Sequence, residues 1–230
     1  MDLQIKMMVS EYLYVRDPES TTLGKKIVRE SIVMINDLGF EDFTFKKLAS
    51  VINTTEAGIY RYFENKHRLL VYIITLYWNL LEYQVVFHLN NIVDPKIKIV
   101  KIIELLSTEI KEDSIRSDYD IALLYQIVIA ESNKVYLTKK VADNNEAKLF
   151  KPYKDLCARI AEIILEYNSK FKFAYSLSST LVETSHLQKY FMQHLPSLTD
   201  KIKGQDDTLQ LKTYLEHLVF SSINKTILKK

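Results

Sequence analysis

The sequence predicts an all-α protein, and three observations carry that prediction. Only four Gly and four Pro occur in 230 residues, too few for the tight turns that sandwiches, barrels and glycine-looped α/β folds require. From Thr22 onward the period is helical, with Ile27, Val28, Ile32 and Ile35 and the small Ser31 on one face, the pattern of a helix with one buried side. A composition of 47% hydrophobic and 26% charged residues supplies a packed core and excludes a disordered or fibrous chain.

Taken in order, residues 1–21 read as an arm packed against the body. Leu3, Ile5, Met7 and Val9 alternate, Tyr12 to Val15 continue as an apolar run, and Asp17-Pro18-Glu19-Ser20 closes the segment. With Lys6 and Arg16 alone, the arm lacks the cations that would carry it to nucleic acid. Asp2 stands where a secretory leader needs basic residues, so a cytoplasmic location is expected. A helix from Thr22 stops at Leu38-Gly39-Phe40, a glycine followed by an apolar contact. Thr44 then caps a short helix over 45–52 with Leu48, Ala49 and Ile52 inward, Asn53-Thr54 turns the chain, and Thr55 caps a helix over 56–62.

A long helix runs from about 66 to 90. Its most apolar stretch, Leu69 to Leu81, lies between Arg68 and Glu82 and falls short of the about 20 residues that cross a bilayer, so it is a core helix and no membrane is expected. Further helices follow over 95–112, 118–131, 152–168, 173–194 and 206–224, with Pro95 and Pro152 at starts and Leu195-Pro196 at a stop. The expected organisation is an arm (1–21), a three-helix segment (22–66) and a helical bundle (67–230).

A formal net charge of +2 makes no case for a polyanionic partner, but local charge does. Between Thr44 and Leu70, Lys46, Lys47, Arg61, Lys66 and Arg68 oppose Glu56 and Glu64, five minus two, or +3. The single cysteine, Cys157, excludes an intrachain disulfide and reads as a buried thiol. The histidines at 67, 88, 186, 194 and 217 form no i, i+4 pair with a neighbouring acid, and no Gly-x-Ser-x-Gly elbow or phosphate-cradling glycine loop occurs. No metal site, catalytic residue or cofactor is therefore expected, and the chain is not read as an enzyme.

Two short helices joined by a tight turn are what a helix-turn-helix requires, the first crossing the phosphate backbone and the second lying in the major groove. The string Phe43-Thr44-Phe45-Lys46-Lys47-Leu48-Ala49, followed by Asn53-Thr54-Thr55-Glu56-Ala57-Gly58-Ile59-Tyr60-Arg61-Tyr62-Phe63-Glu64-Asn65-Lys66, resembles the DNA-binding domain of the tetracycline-repressor (TetR) family of transcriptional regulators. The resemblance covers Lys25 to about Leu70 and rests on Gly39, the Leu48-Ala49 pair and the Tyr60-x-Tyr62-Phe63-x-x-Lys66 run. It implies a homodimer that binds double-stranded operator DNA, most often as a repressor, and answers a small-molecule effector. Three positions depart from the family pattern. Asn53 stands for the usual turn glycine and tolerates left-handed backbone angles, Lys47 replaces a capping acid, and Gly58 replaces Thr or Ser.

The residues expected at DNA are Thr44, Lys46, Lys47, Thr54, Thr55, Glu56, Ala57, Gly58, Tyr60, Arg61, Tyr62 and Lys66. Thr44, Thr55, Tyr60 and Lys66 offer hydroxyl or ammonium donors for phosphate oxygens; Thr44 and Thr55 serve equally as helix caps, and Lys66 as a solvated lysine. Glu56 can read cytosine N4 and Arg61 guanine, although Glu56 also suits the positive end of a helix as a plain first-turn acid. Lys66→Ala is expected to weaken binding to all sequences alike, and Gly58→Thr to stabilise the fold slightly. Ile59 and Phe63 belong to the core.

In the bundle, Tyr77, Trp78, Tyr83, Phe87, Tyr125 and Gln126 are the candidate lining of an aromatic effector pocket, with Gln126 a buried amide in need of a partner. Dimerisation is expected on 173–194 and 206–224, through Phe173, Leu177, Leu181 and Phe191 beside small residues, and through Leu211, Tyr214, Leu215, Leu218 and Phe220. Rival classes are a helical sensor or adaptor that has lost DNA binding and a helical enzyme without a recognisable motif.

Overall fold

The computed structural model describes residues 9–110, 118–139, 141–202 and 204–224, and all regular structure among them is helical. The helices are α1 (Thr22–Asp42), α2 (Phe45–Ile52), α3 (Glu56–Tyr60), α4 (Lys66–Leu89), α5 (Pro95–Ser107), α6 (Ile121–Glu131), α7 (Asn133–Tyr136), α8 (Val141–Glu146), α9 (Lys151–Tyr167), α10 (Ala174–His194) and α11 (Asp207–Ile223). The alternation of Leu3, Ile5 and Met7 lies outside the described residues. The short helices α7 and α8 have no counterpart in the sequence reading, because four and six residues are too few to display a period. Helix α5 ends at Ser107 rather than 112, the last residues of that expectation again lying outside those described.

Side chains that close the first turn set most of the starts. Thr21, Thr44 and Thr55 accept from the N–H groups of Gly24, Lys47 and Gly58, and Asp94, Asp120 and Asp206 do the same for α5, α6 and α11. Inside α1 the backbone leaves helical geometry at Gly39, whose φ of 76° only glycine adopts without strain, and one more turn follows to Asp42.

In space the chain forms two compact units, residues 1–80 with 110–152 and residues 81–109 with 153–230, a division different from the sequence boundary at 66. In the first unit, Ile27, Val28, Ile32 and Ile35 of α1 are all 1% exposed or less, and α1 packs on α2 and α6. The arm does lie on this unit from Val9 onward: Leu13 is buried, Val15 N–H donates to the Tyr62 carbonyl at 2.8 Å, and Arg16 sits over the Tyr62 ring. Its turn at Pro18–Ser20 is held by Glu19, whose carboxylate accepts from the hydroxyls of Tyr72 and Tyr119.

The second unit packs α5, α10 and α11 together. Lys98–Glu166 at 2.7 Å and Arg159–Glu82 at 3.2 Å tie its surface. Cys157 is buried, and burial pushes its thiol up to about 11. Leu177, Leu181, Leu211 and Leu215 belong to this unit's own core rather than to a free stripe, since each is 8% exposed or less, and Leu215 is fully buried. What remains outward on α10 and α11 is Tyr175, Leu187, Leu209 and Tyr214, 41–61% exposed.

His186, also in α10, is fully buried, and loss of solvation lowers its ring to about 4 while Nδ1–H donates to the Val182 carbonyl at 3.0 Å. The unfolded chain binds a proton near the ordinary value of about 6.5, so this group's stabilisation is complete above that pH and is lost as pH falls toward 4. We expect it to remove about 2 kcal/mol of stability between pH 7 and pH 5. Urea midpoints at the two pH values check this: His186→Gln should flatten the slope by that amount.

Helix α4 is, among the described residues, long and apolar enough by length and composition to cross a membrane; 78% of its most apolar window is buried inside the protein, as in a core helix.

Candidate nucleic-acid interface

The α2–turn–α3 segment is built from local rules. Asn53 adopts φ 56°, ψ 53°, the left-handed conformation expected of it, and the N–H groups of Asn53 and Thr54 both return to the Ala49 carbonyl. Leu48, Ile52, Ile59 and Phe63 are buried at 3% exposure or less, so the two short helices share one apolar base. Tyr60 stands half-exposed with its ring edge-on to Phe45 at 5.1 Å.

Above that base the exposed face carries Thr44, Lys46, Lys47, Thr55, Glu56, Ala57, Tyr60 and Arg61, with Thr54 and Gly58 half-buried between them. Thr44 and Thr55 are both caps, their hydroxyl oxygens accepting at 3.2 and 3.1 Å and leaving the hydroxyl protons for another acceptor. Lys47 Nζ donates to the Asp42 carbonyl at 2.8 Å, so the lysine that replaces a capping acid steadies the end of α1.

Two of the expected contact residues point elsewhere. Tyr62 is 3% exposed and its hydroxyl pairs with Thr21 Oγ1 at 2.7 Å, which makes it a tie between the start of α1 and the end of α3. Lys66 donates to the carbonyls of Phe40, Glu41 and Phe43 at 3.0, 3.0 and 3.1 Å, and lies 4.7 Å from the Phe40 ring. An ammonium has three donors, and here all three close the C-terminal end of α1. Lys66→Ala should accordingly lower stability, by about 1–2 kcal/mol, rather than act as the loss of a phosphate contact. Thermal melting beside affinity for DNA separates the two: an unchanged melt with weakened binding would return Lys66 to the interface.

Arg68 is likewise drawn inward, to Asn144 Oδ1 at 3.1 Å, so the local cationic excess is smaller on the open face than the sequence count. Gly58 is also more constrained than its helix position suggests. A β-carbon there would lie 2.8 Å from Thr54 Oγ1, so the slight stabilisation expected of Gly58→Thr is opposed by crowding.

A residue that sequence reading passed over completes the platform. Glu131, at the end of α6 and 7% exposed, accepts from the Phe40 N–H at 3.0 Å where Gly39 breaks α1, and pairs with Lys134, which also pairs with Glu41. Lys134 holds the Glu41 carboxyl below its ordinary range. The one signal in the sequence was an acid closing an otherwise apolar helix.

Residues 27–73 match the profile described as "Bacterial regulatory proteins, tetR family". These residues therefore form a tetR-type DNA-binding domain. The match spans the helix-turn-helix and the start of α4, and identifies a tetR-family DNA-binding regulator. No curated protein sequence matches the chain.

Solved structures extend the likeness in fold. AibR in complex with isovaleryl coenzyme A and operator DNA is 15% identical, with a TM-score of 0.56 over 88% of this chain and 100% of that one. The fatty acid degradation regulator FadR from Bacillus halodurans is 15% identical, with a TM-score of 0.59 over 84% of this chain and 93% of that one.

Within this tetR-family fold the candidate effector residues separate. Tyr77, Trp78 and Tyr125 are buried in the first unit, with Tyr77 at 5.3 Å from Trp78 and 5.8 Å from Tyr125, and Trp78 Nε1–H donates to Tyr136 OH at 2.6 Å. Gln126 is half-exposed, not a sealed amide, because Ala122, Gln126 and Ala130 form the outward i, i+4 line of α6. Tyr83 and Phe87 belong to the second unit and stack on one another, and Phe87 is 62% exposed, which is unlike the wall of an enclosed cavity. Among the described residues no group of three or more His, Cys, Asp or Glu side chains is gathered as a metal site.

Proposed function

We propose that this tetR-family protein is a sequence-specific repressor that binds a near-palindromic operator as a homodimer in the cytoplasm and answers a small-molecule effector without catalysing a reaction. The observation that carries the reading is the α2–turn–α3 face: hydroxyl and cationic side chains outward, an aromatic and aliphatic base beneath, and a turn held in left-handed geometry. Thr44, Lys46, Lys47, Thr55 and Tyr60 suit phosphate oxygens, and Glu56 and Arg61 suit base edges. A two-fold dimer sets two such faces about one DNA turn, roughly 34–36 Å, apart or a multiple of it.

Leu187, Leu209 and Tyr214 supply the outward apolar surface for a second copy. The Tyr77, Trp78 and Tyr125 cluster is the proposed effector site. Its position on α4 and α6 supports a response by movement of those helices, since α4 begins at the Lys66 clamp and α6 ends at the Glu131 clamp on α1. The likeness to AibR, a protein solved with isovaleryl coenzyme A and operator DNA, supports the pairing of ligand with operator.

Selection of bound fragments from the protein's own genome, followed by salt titration on the recovered duplex, tests the reading. A shared near-palindrome with affinity falling steeply as salt rises is the expected result. Undetectable or salt-indifferent binding replaces it with a helical sensor or adaptor. Light scattering tests the assembly: a dimeric mass should become monomeric in Leu187→Glu/Tyr214→Glu. Leu215→Glu is unsuitable because Leu215 is core.

A further inference from the structure

The recognition helix lacks a side chain at Gly58, yet the space beside it holds a hydroxyl. A β-carbon on residue 58 would lie 2.8 Å from Thr54 Oγ1 and 3.5 Å from Thr55 Oγ1. Thr55 Oγ1 is engaged as the cap, accepting the Gly58 N–H at 3.1 Å. Thr54 is different. Its backbone is fixed, N–H to the Ala49 carbonyl at 2.9 Å, its side chain is half-buried, and among the described residues its hydroxyl makes no hydrogen bond within the protein. A rigidly mounted threonine with an unengaged hydroxyl donates or accepts as its partner demands.

We propose that Thr54, standing in the turn, supplies the base-reading group that the bare Gly58 does not. This rests on the DNA-binding reading above and deepens it by naming a specificity-determining residue. The chemistry fits: a threonine hydroxyl pairs with donors or acceptors on a base edge, and its methyl contacts the C5-methyl of thymine. The glycine and the threonine then work as a pair. Glycine at 58 leaves Thr54 its rotamer, and any larger residue at 58 turns the hydroxyl away.

The test is a binding-site selection from a random duplex pool with the full chain and three variants, each also melted. Thr54→Val keeps the shape and removes the hydroxyl; Gly58→Ala keeps the hydroxyl and crowds it; Thr54→Ser keeps the hydroxyl and removes the methyl. Thr54→Val and Gly58→Ala are expected to retain salt-dependent affinity for non-specific duplex and to lose preference about tenfold at one and the same base pair of each half-site. Thr54→Ser is expected to keep the hydrogen-bonded part of that preference.

Wild-type preference at every position in Thr54→Val overturns the proposal, as does loss at different base pairs in Thr54→Val and Gly58→Ala. If Gly58→Ala melts well below the wild type, Thr54→Val with Thr54→Ser decides the matter. A wild-type chain without preference for any duplex overturns the DNA-reading function itself, an outcome seen before any variant is compared.

Discussion

Gly24→Ala should lower the melting temperature by roughly 6–12 °C, the shift that about 3 kcal/mol produces in a chain of this size. Most helical Gly→Ala changes gain about 1 kcal/mol of propensity. Here the added carbon would stand 2.3 Å from the Pro18 carbonyl oxygen and 2.6 Å from Pro18 Cα, both backbone atoms that no rotamer change can clear. The Pro18–Ser20 turn must therefore lift off the start of α1, exposing the buried Pro18 and drawing Glu19 from Tyr72 and Tyr119. Overpacking of this kind costs about 1–3 kcal/mol and occasionally more, and the lost ties put Gly24 at the upper end. Differential scanning calorimetry checks it; a variant that melts with the wild type would show that the turn yields freely.

Glu131→Ala should cost about 2–3 kcal/mol and should also loosen the end of α1. The substitution leaves the Phe40 N–H buried without its acceptor, a loss of about 1–3 kcal/mol, and deprives Lys134 of its 2.8 Å partner. Glu131→Gln retains an oxygen for the Phe40 N–H and should recover about half of the loss. Urea unfolding of the three proteins gives the stabilities. Effector-free DNA binding of the stable Gln variant then reports whether α6 matters to the recognition face only through its packing.

Much of this architecture is written locally. Thr44 and Thr55 cap as their positions indicate, Asn53 turns left-handed, and Ile59 and Phe63 enter the core, because each of those outcomes depends on residues within one helical turn. What sequence reading missed depends on distant partners. Nothing near Lys66 announces that three carbonyls more than twenty residues upstream will take its ammonium, nor does the pattern around Tyr62 reveal Thr21 as its partner. Leu215 looked as free as its neighbours because periodicity identifies an apolar face without saying which chain covers it. Gln126 failed for the converse reason. One polar residue in an apolar helix reads as buried until the outward line of the helix is located.

The threonines that open α1, α2 and α3 also fix an order of assembly. Each closes a turn with a neighbour three residues away, so these helices acquire their ends before any long loop is shut. Glu19 must instead reach Tyr72, 53 residues on, and Tyr119, 100 residues on, closures whose entropy grows with loop length. The arm is therefore expected to fasten only after those local turns have formed, and amide exchange along residues 13–20 should run ahead of exchange in α1 while the rest of the unit stays closed.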